Sequence, residues 1–319
     1  MGEKNIINIA LGVDNKYFPY AGILMTSILL NSLGNKIVFH VAMNEKISVA
    51  NEKKKDFFNN LYKNAQIKIY DLTAVVDALP ELSLYTDKRF NKAILLRILL
   101  PEVLADDIEK LIYLDADILC IGDIKKLWDM QIPKKYIIAA SQYKKRHGPE
   151  QVKRLGLKTD KYFNSGVLVI NMALWKRKNI TKLITACYSE FYEFFLLPDQ
   201  DAINVVLQNN IYDLPYKFNR MLAPNDPTLD FREKDDILLH FVNEAKPWLK
   251  GNTPVMEKLY EFYVNQSIWN DMQFLEPQTP ELMLLAGRNY EEKGDYENAA
   301  YYYGNAAKEL MKFYIKMNK

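Results

Sequence analysis

The chain has 319 residues, 49% hydrophobic and 26% charged, enough apolar material for a large α/β domain plus an appendage without disulfide or metal staples. Its 42 Lys+Arg against 40 Asp+Glu leave a formal charge of +2, so electrostatics gives no reason to expect a nucleic-acid partner. Disordered, collagen-like and disulfide-scaffold classes are excluded by the same figures.

Met1-Gly2-Glu3-Lys4-Asn5 passes straight into an apolar, β-branched run, Ile6 to Val13, which reads as a buried strand entering a loop at Asp14. There is no basic n-region or long apolar h-region, and no charge-free window of ~18 apolar residues. The expectation is a cytoplasmic chain, at most peripheral to the inner face of the cell membrane. Tyr20 to Leu33 has apolar residues at helical spacing, with Gly34 as its C′ residue. Lys36 to Met43 predicts a second strand, Ile47 to Tyr62 a charged helix and Gln66 to Tyr70 a third strand. Asn91 to Leu100 predicts a helix stopped by Pro101. Lys110 to Leu114 is a buried strand running into Asp115-Ala116-Asp117. Tyr136 to Ala140 and Val167 to Asn171 follow as strands, separated by a basic stretch. Strands alternating with helices predict a mostly parallel, doubly wound sheet, which takes ligands at the carboxyl ends of its strands. Cys120 and Cys187 read as reduced, buried, small apolar residues.

Past Pro254 the sequence turns helical, rich in Tyr, Met and Lys. Gly287, Tyr290, Gly294, Tyr296, Ala299, Tyr303 and Ala306 fall at tetratricopeptide offsets, predicting a helical hairpin over about 280–313 that turns near Gly294. A lone repeat cannot bury its own face, so it must lie on the main domain, on a second copy of the chain or on repeats supplied elsewhere; the alternative is a plain helical hairpin that converged on this spacing.

Asp115 and Asp117 leave a buried strand two residues apart, where two carboxylates can converge on one hard cation. Asp199-Gln200-Asp201 is a second run of this kind. His240 closes an apolar strand, Ile237 to Phe241, and an imidazole joining two carboxylates favours manganese-like metals over magnesium. Lys246, in Lys246-Pro247-Trp248, can place a point charge on a phosphate. His40 and His147 read as satisfied core or surface imidazoles.

Together these segments resemble glycosyltransferase family 8, the retaining, nucleotide-sugar-dependent group with a GT-A fold. The matching stretches, in order, are Asp14 to Tyr17, LLRILLP around Arg97, LIYLDADIL around Asp115, and YFNSGVLVINMALW around Asn164. LPDQDAIN around Gln200 and HFVNEAKPW around His240 complete the set. The resemblance implies a GT-A-like α/β domain over residues 1–250 and a helical region over 251–319. It implies transfer of glucose or galactose from a UDP-sugar to a hydroxyl of a glycan, glycolipid or glycoprotein.

By the same resemblance, Asp14 and Tyr17 would hold the uracil, and Asp115, Asp117 and His240 would bind Mn2+, or Mg2+ in its place. Ala116, Arg97 and Asn164 would line the donor, Asp199 would hold sugar hydroxyls, and Lys246 would neutralise the leaving β-phosphate. Gln200 would lie across the anomeric carbon from the leaving group. A neutral amide is a poor nucleophile, which favours front-face attack over double displacement. The chain departs from the family pattern at Asn15-Lys16, Leu96, Ser141-Gln142 and Val242-Asn243-Glu244. The rival readings are a degenerate transferase acting as a UDP-sugar-binding scaffold, and a metal-dependent nucleotidyltransferase or hydrolase. The loop Lys144 to His147 reads as a solvated charged loop, a lid or an acceptor-side surface. The tail Lys308 to Lys319 reads as a packed helix or a membrane-surface helix, leaving membrane contact and self-association open.

Overall fold

A computed structural model of the chain describes residues 6–82, 91–143, 147–222, 235–242 and 244–317; Lys144, Lys145, Arg146 and Asn243 lie outside them. The chain forms two compact units, one of Met1–Arg220 with Asp235–His240, the other of Met221–Lys234 with Phe241–Lys319.

The first unit is built on strands β1 (Ile6–Val13), β2 (Lys36–Met43), β3 (Ala65–Asp71), β4 (Lys110–Leu114), β5 (Ile118–Cys120), β6 (Ile138–Ala140), β7 (Val167–Asn171), β8 (Ile211–Asp213), β9 (starting at Arg220) and β10 (Leu238–His240). Its helices are α1 (Phe18–Asn31), α2 (Val49–Leu61), α3 (Thr73–Asp77), α4 (Leu96–Val103), α5 (Lys125–Trp128), α6 (His147–Leu155), α7 (Met172–Arg177), α8 (Ile180–Phe191) and α9 (Pro198–Leu207). Seven strands make one sheet in the order β3-β2-β1-β4-β7-β6-β8, and β5-β10-β9 make a small second one.

Strands covered on both faces read as unbroken apolar runs rather than alternating ones, and Ile9, Ala10 and Leu11 of β1 are all buried. β1 lies parallel to β2 and β4, pairing Ile9 with Phe39 on one side and with Ile112 on the other. Helix α1 buries apolar side chains nearly all round, as an interior helix does. Helix α2 buries only Asn51 and Phe58, and is capped by the Ser48 hydroxyl accepting from the Asn51 N–H.

One strand breaks the parallel rule. β7 runs antiparallel to both β4 and β6, pairing Leu114 with Val167 and Lys110 with Asn171. Its amino end therefore lies at the same sheet edge as the carboxyl ends of β1 and β4. A hydrogen bond of 2.9 Å from the Asp115 N–H to the Gly166 carbonyl joins the two segments there.

Several local expectations are corrected. Pro101 does not stop its helix: a 3-10 turn, Lys92–Leu95, leads into α4, which runs on to Val103. Leu96 to Pro101 are all buried, and this burial overrides the local cost of proline. Helix α1 starts at Phe18 and caps at Ser32, so Gly34, with φ +80°, sits beyond C′ in the turn into β2. The strand expected from Tyr136 begins at Ile138. Cys187 is half-buried, because its face of α8 is only partly covered, while Cys120 is buried; both are free thiols.

The second unit contains α10 (Pro254–Gln266), α11 (Pro280–Glu292) and α12 (Tyr296–Met317). Gly294, at φ +77°, turns α11 into α12. A Cβ on Gly287 would come within 2.7 Å of the Tyr303 ring, and Ala286, Ala299 and Ala306 are buried. Small residues here let the two helices approach closely, and the Tyr290 and Tyr302 rings stack at 5.4 Å.

Gly12 carries the close approach of β1 to α4, since a Cβ there would lie 2.7 Å from the Leu96 Cβ. Gly12→Ala is expected to destabilise the chain by about 1–3 kcal/mol, read as a lower urea midpoint. An unchanged midpoint would show that α4 can move aside.

Candidate active site

Five segments meet at the sheet edge where β4 ends and β7 begins. Arg97 comes from the first turn of α4, Asp115 and Asp117 from the turn after β4, and Asn164 to Gly166 from the approach to β7. Asp199 to Asp201 lie in the first turn of α9, and His240 ends β10. The guanidinium of Arg97 is buried at the centre. Its Nη2 lies 2.8 Å from Asp115 Oδ1 and its Nε 2.9 Å from Asp199 Oδ2. Its Nη1 donates to the Ser165 hydroxyl at 2.7 Å, and the plane lies 5.0 Å over the Tyr113 ring. Burial alone would lower the Arg97 pKa, but Asp115 and Asp199 outweigh it and raise it further. The Asp199 carboxyl is pushed up by burial, with Arg97 opposing.

The ligand atoms of Asp115, Asp117 and His240 all lie within 4.8 Å of one another. His240 Nε2 is 3.3 Å from Asp117 Oδ1 and 3.9 Å from Asp115 Oδ2. A Cβ on Gly166 would reach within 2.2 Å of His240 Cε1 and 2.7 Å of Asp115 Oδ2, so only glycine leaves this cradle open. Two carboxylate oxygens and one imidazole nitrogen form a donor set that fits a borderline divalent cation such as Mn2+. The charge argues the same way, because Arg97 pairs with Asp115 and Asp199 while Asp117 adds a third carboxylate beside them.

Gln200 is held on both sides of its amide. Its Oε1 accepts from the Ser165 N–H at 3.0 Å and from Asn164 Nδ2 at 3.2 Å, while its Nε2 donates to the Tyr162 hydroxyl at 2.9 Å. Tyr162 in turn donates to Asp201 Oδ1 at 2.5 Å. Asp201 also pairs with Arg154 at 2.7 Å and accepts the Leu196 and Leu197 N–H groups. The third residue of the Asp199-Gln200-Asp201 run is thus committed to closing the start of α9.

Asp14 and Tyr17 form their own group at the end of β1. Asp14 accepts from the Tyr17 N–H at 2.8 Å and from Asn91 Nδ2 at 2.7 Å, and Tyr17 meets Tyr20 edge-on at 5.5 Å. The departure at Asn15 serves the local structure, because its side chain donates to the Lys46 carbonyl and accepts the Ser48 N–H, tying this loop to the start of α2. Lys246 belongs to the second unit, where its ammonium donates to the Phe241 carbonyl at 2.5 Å. His40 is the expected core imidazole, bonded to Tyr70 and Asn8 at 2.9 Å and pushed down to about 4 by burial. His147 is exposed at the start of α6, against Tyr143.

Sequence reasoning missed Ser165, Tyr162 and Asn219. Ser165 and Tyr162 stand within the YFNSG run and could have been read from it. Asn219, fully buried, carries no local signal; it donates to Asn164 Oδ1 at 2.8 Å and faces His240 Nδ1 at 2.9 Å.

Comparison with known proteins supplies an independent line. A family model described as "Glycosyl transferase family 8" matches residues 8–251. General stress protein A of Bacillus subtilis is 28% identical over 85% of this chain and 97% of its own length. A lipopolysaccharide 1,3-galactosyltransferase of Salmonella typhimurium is 26% identical over 94% of this chain and 90% of its own. The crystal structure of the galactosyltransferase LgtC with donor and acceptor sugar analogs superposes with a TM-score of 0.68 at 23% identity. That match covers 82% of this chain and 96% of LgtC, a shared fold of the GT-A-like kind expected from the sequence.

The ion cluster generates a pH-dependent prediction. In Arg97→Met, Asp115 and Asp199 lose their buried counter-charge, which is expected to cost about 3–5 kcal/mol at neutral pH. Asp199, raised by burial, would then hold its proton more tightly folded than unfolded, so stability falls as pH rises. The deficit should therefore be smallest below the ordinary aspartate value of about 3.9. Urea midpoints from pH 3.5 to 8 test this; a deficit independent of pH would contradict it.

Proposed function

Because the chain belongs to glycosyl transferase family 8, we propose that it moves glucose or galactose from a UDP-sugar to an acceptor hydroxyl with retention of configuration. The observation that carries the reading is the meeting of Asp115, Asp117 and His240 with the Arg97–Asp199–Gln200 cluster at one sheet edge. Asp115, Asp117 and His240 would hold Mn2+, or Mg2+ in its place, and the metal would supply charge neutralisation for the diphosphate. Asp14 and Tyr17 would take the uracil, one by hydrogen bonding and one by stacking. Ala116 and Asn164 would line the donor, and Asp199 would receive sugar hydroxyls. All three nitrogens of Arg97 engage protein groups, so its part is to hold Asp115 and Asp199 in place beside the donor.

The state of Gln200 supports front-face transfer. Its carbonyl oxygen already accepts from Asn164 Nδ2 and the Ser165 N–H, and an amide is uncharged. Asp199 is tied to Arg97 and Ser165. In this reading the bond from the anomeric carbon to the β-phosphate oxygen breaks, and the acceptor oxygen bonds the same face of that carbon. The acceptor's proton passes to the departing phosphate oxygen, with Lys246 neutralising the charge that develops on UDP.

The similarity to a lipopolysaccharide galactosyltransferase supports a bacterial surface glycan or glycolipid as acceptor, a glycoprotein being the further choice. No described helix is long and apolar enough to cross a membrane. The end of α12 exposes Leu310, Met311, Phe313 and Ile315 among lysines, which supports peripheral contact with the inner membrane face or self-association. A scaffold that binds UDP-sugar without turnover is not favoured, because the carboxylate–imidazole set is intact.

Purified chain with Mn2+ and a panel of UDP-sugars is expected to release UDP from UDP-glucose or UDP-galactose, and Asp117→Ala to reduce release to background. Binding without release by any donor would favour the scaffold. A slow fluorinated donor followed by intact-mass analysis is expected to leave the chain unmodified; a hexosyl adduct on Asp199 or Gln200 would overturn front-face transfer.

A further inference from the structure

An amide side chain can face either way round, so its orientation must be argued from groups that cannot turn over. The backbone N–H of Gly166 is such a group. It donates to Asn164 at 2.9 Å, which makes the atom it meets the Asn164 oxygen, Oδ1. The other end of that amide agrees, since Asn164 Nδ2 donates to the Tyr143 hydroxyl and to Gln200 Oε1. The Asn219 atom 2.8 Å from Asn164 Oδ1 must then be the donor, Nδ2. Its oxygen consequently faces His240 Nδ1 at 2.9 Å. An amide oxygen only accepts, so the proton between them belongs to His240 Nδ1. The remaining nitrogen, Nε2, points at Asp117 and Asp115, with its lone pair available to a metal.

We propose that Asn219 is a positioning residue which, through Asn164, transmits the direction of the Gly166 N–H to His240 and keeps its proton on Nδ1, so that Nε2 is the nitrogen presented between Asp115 and Asp117. All members of the relay are buried, Asn219 at 0%, His240 at 3% and Asn164 at 5% exposure, where water does not compete for these bonds. The relay also explains how Asn164 bears on the site without ligating. Its amide couples the glycine that leaves room for the imidazole to the residue that orients the imidazole. The inference rests on the proposed metal site for its consequence, but not for its first test.

That first test needs neither metal nor donor. The chain has three histidines, so 15N-histidine labelling gives three ring patterns, and His240→Gln identifies one of them. In the neutral imidazole of the metal-free chain, His240 Nδ1 is expected in the proton-bearing range. An unprotonated Nδ1 would overturn the proposal, whatever reaction the chain catalyses. The second test is Mn2+ affinity by electron paramagnetic resonance. Asn219→Leu removes the acceptor and is expected to weaken binding 10–100-fold, the usual consequence of losing an outer-shell partner of a ligating histidine. Asn219→Asp keeps an acceptor for Nδ1 but loses the donor to Asn164; it is expected to lower Tm while holding Mn2+ affinity close to that of the parent. Equal loss of affinity in both variants, or no loss in Asn219→Leu, would show a merely structural residue. Parent chain that fails to bind Mn2+ would refute the metal site, and the ring pattern would still decide for or against the relay.

Discussion

A buried guanidinium between the buried carboxylate of Asp199 and the half-buried one of Asp115 holds this site together. Arg97 reaches from the first turn of α4 to Asp115 at the end of β4 and to Asp199 at the start of α9. Asp199 lies far along the chain from the other two, and each brings a charge that would be costly to bury alone. Only their meeting makes the burial tolerable, so the ion cluster and the local tertiary arrangement specify one another. Ser165 adds a hydroxyl bonded to both Arg97 and Asp199, which leaves the guanidinium little freedom to turn elsewhere.

The second constraint is topological. A purely parallel sheet would send the approach to β7 to the opposite edge from Asp115. Because β7 is reversed, Asn164, Ser165 and Gly166 arrive beside the carboxyl end of β4 and meet Arg97, Gln200 and His240. Gly166 is indispensable at that crossing, where its missing side chain gives the imidazole its space. The polar side chains around it are bonded to one another in a closed set, which is how a low-dielectric pocket keeps hydrophilic groups in fixed directions.

Much of this was legible beforehand. The five long strands were read to within a residue, because strands covered on both faces leave apolar runs and β3, covered on one, leaves an alternating pattern. The carboxylates at 115 and 117, His240 and the Asp199-Gln200 pair were all singled out as site residues. Pro101 was misread because local propensity speaks for an isolated helix, whereas the burial of Leu96 to Pro101 is decided by neighbours. Two or three residues carry no period, so the short strands β5, β8 and β9 escaped, while β6 and β10 were read only as parts of longer apolar runs.

The sequence alone determined the family and which residue types could do chemistry, since motif order and apolar periodicity are properties of neighbouring positions. Only the tertiary structure decided how those residues are joined: that Arg97 spends its nitrogens on Asp115, Asp199 and Ser165, that Asp201 serves Tyr162 and Arg154, and that Asn219 faces His240. Such partnerships depend on which chain ends a sheet brings to one edge, and on the direction of each hydrogen bond there. Neither leaves a trace in local sequence, which is why Asn219, with no motif around it, became visible only once the strands were in place.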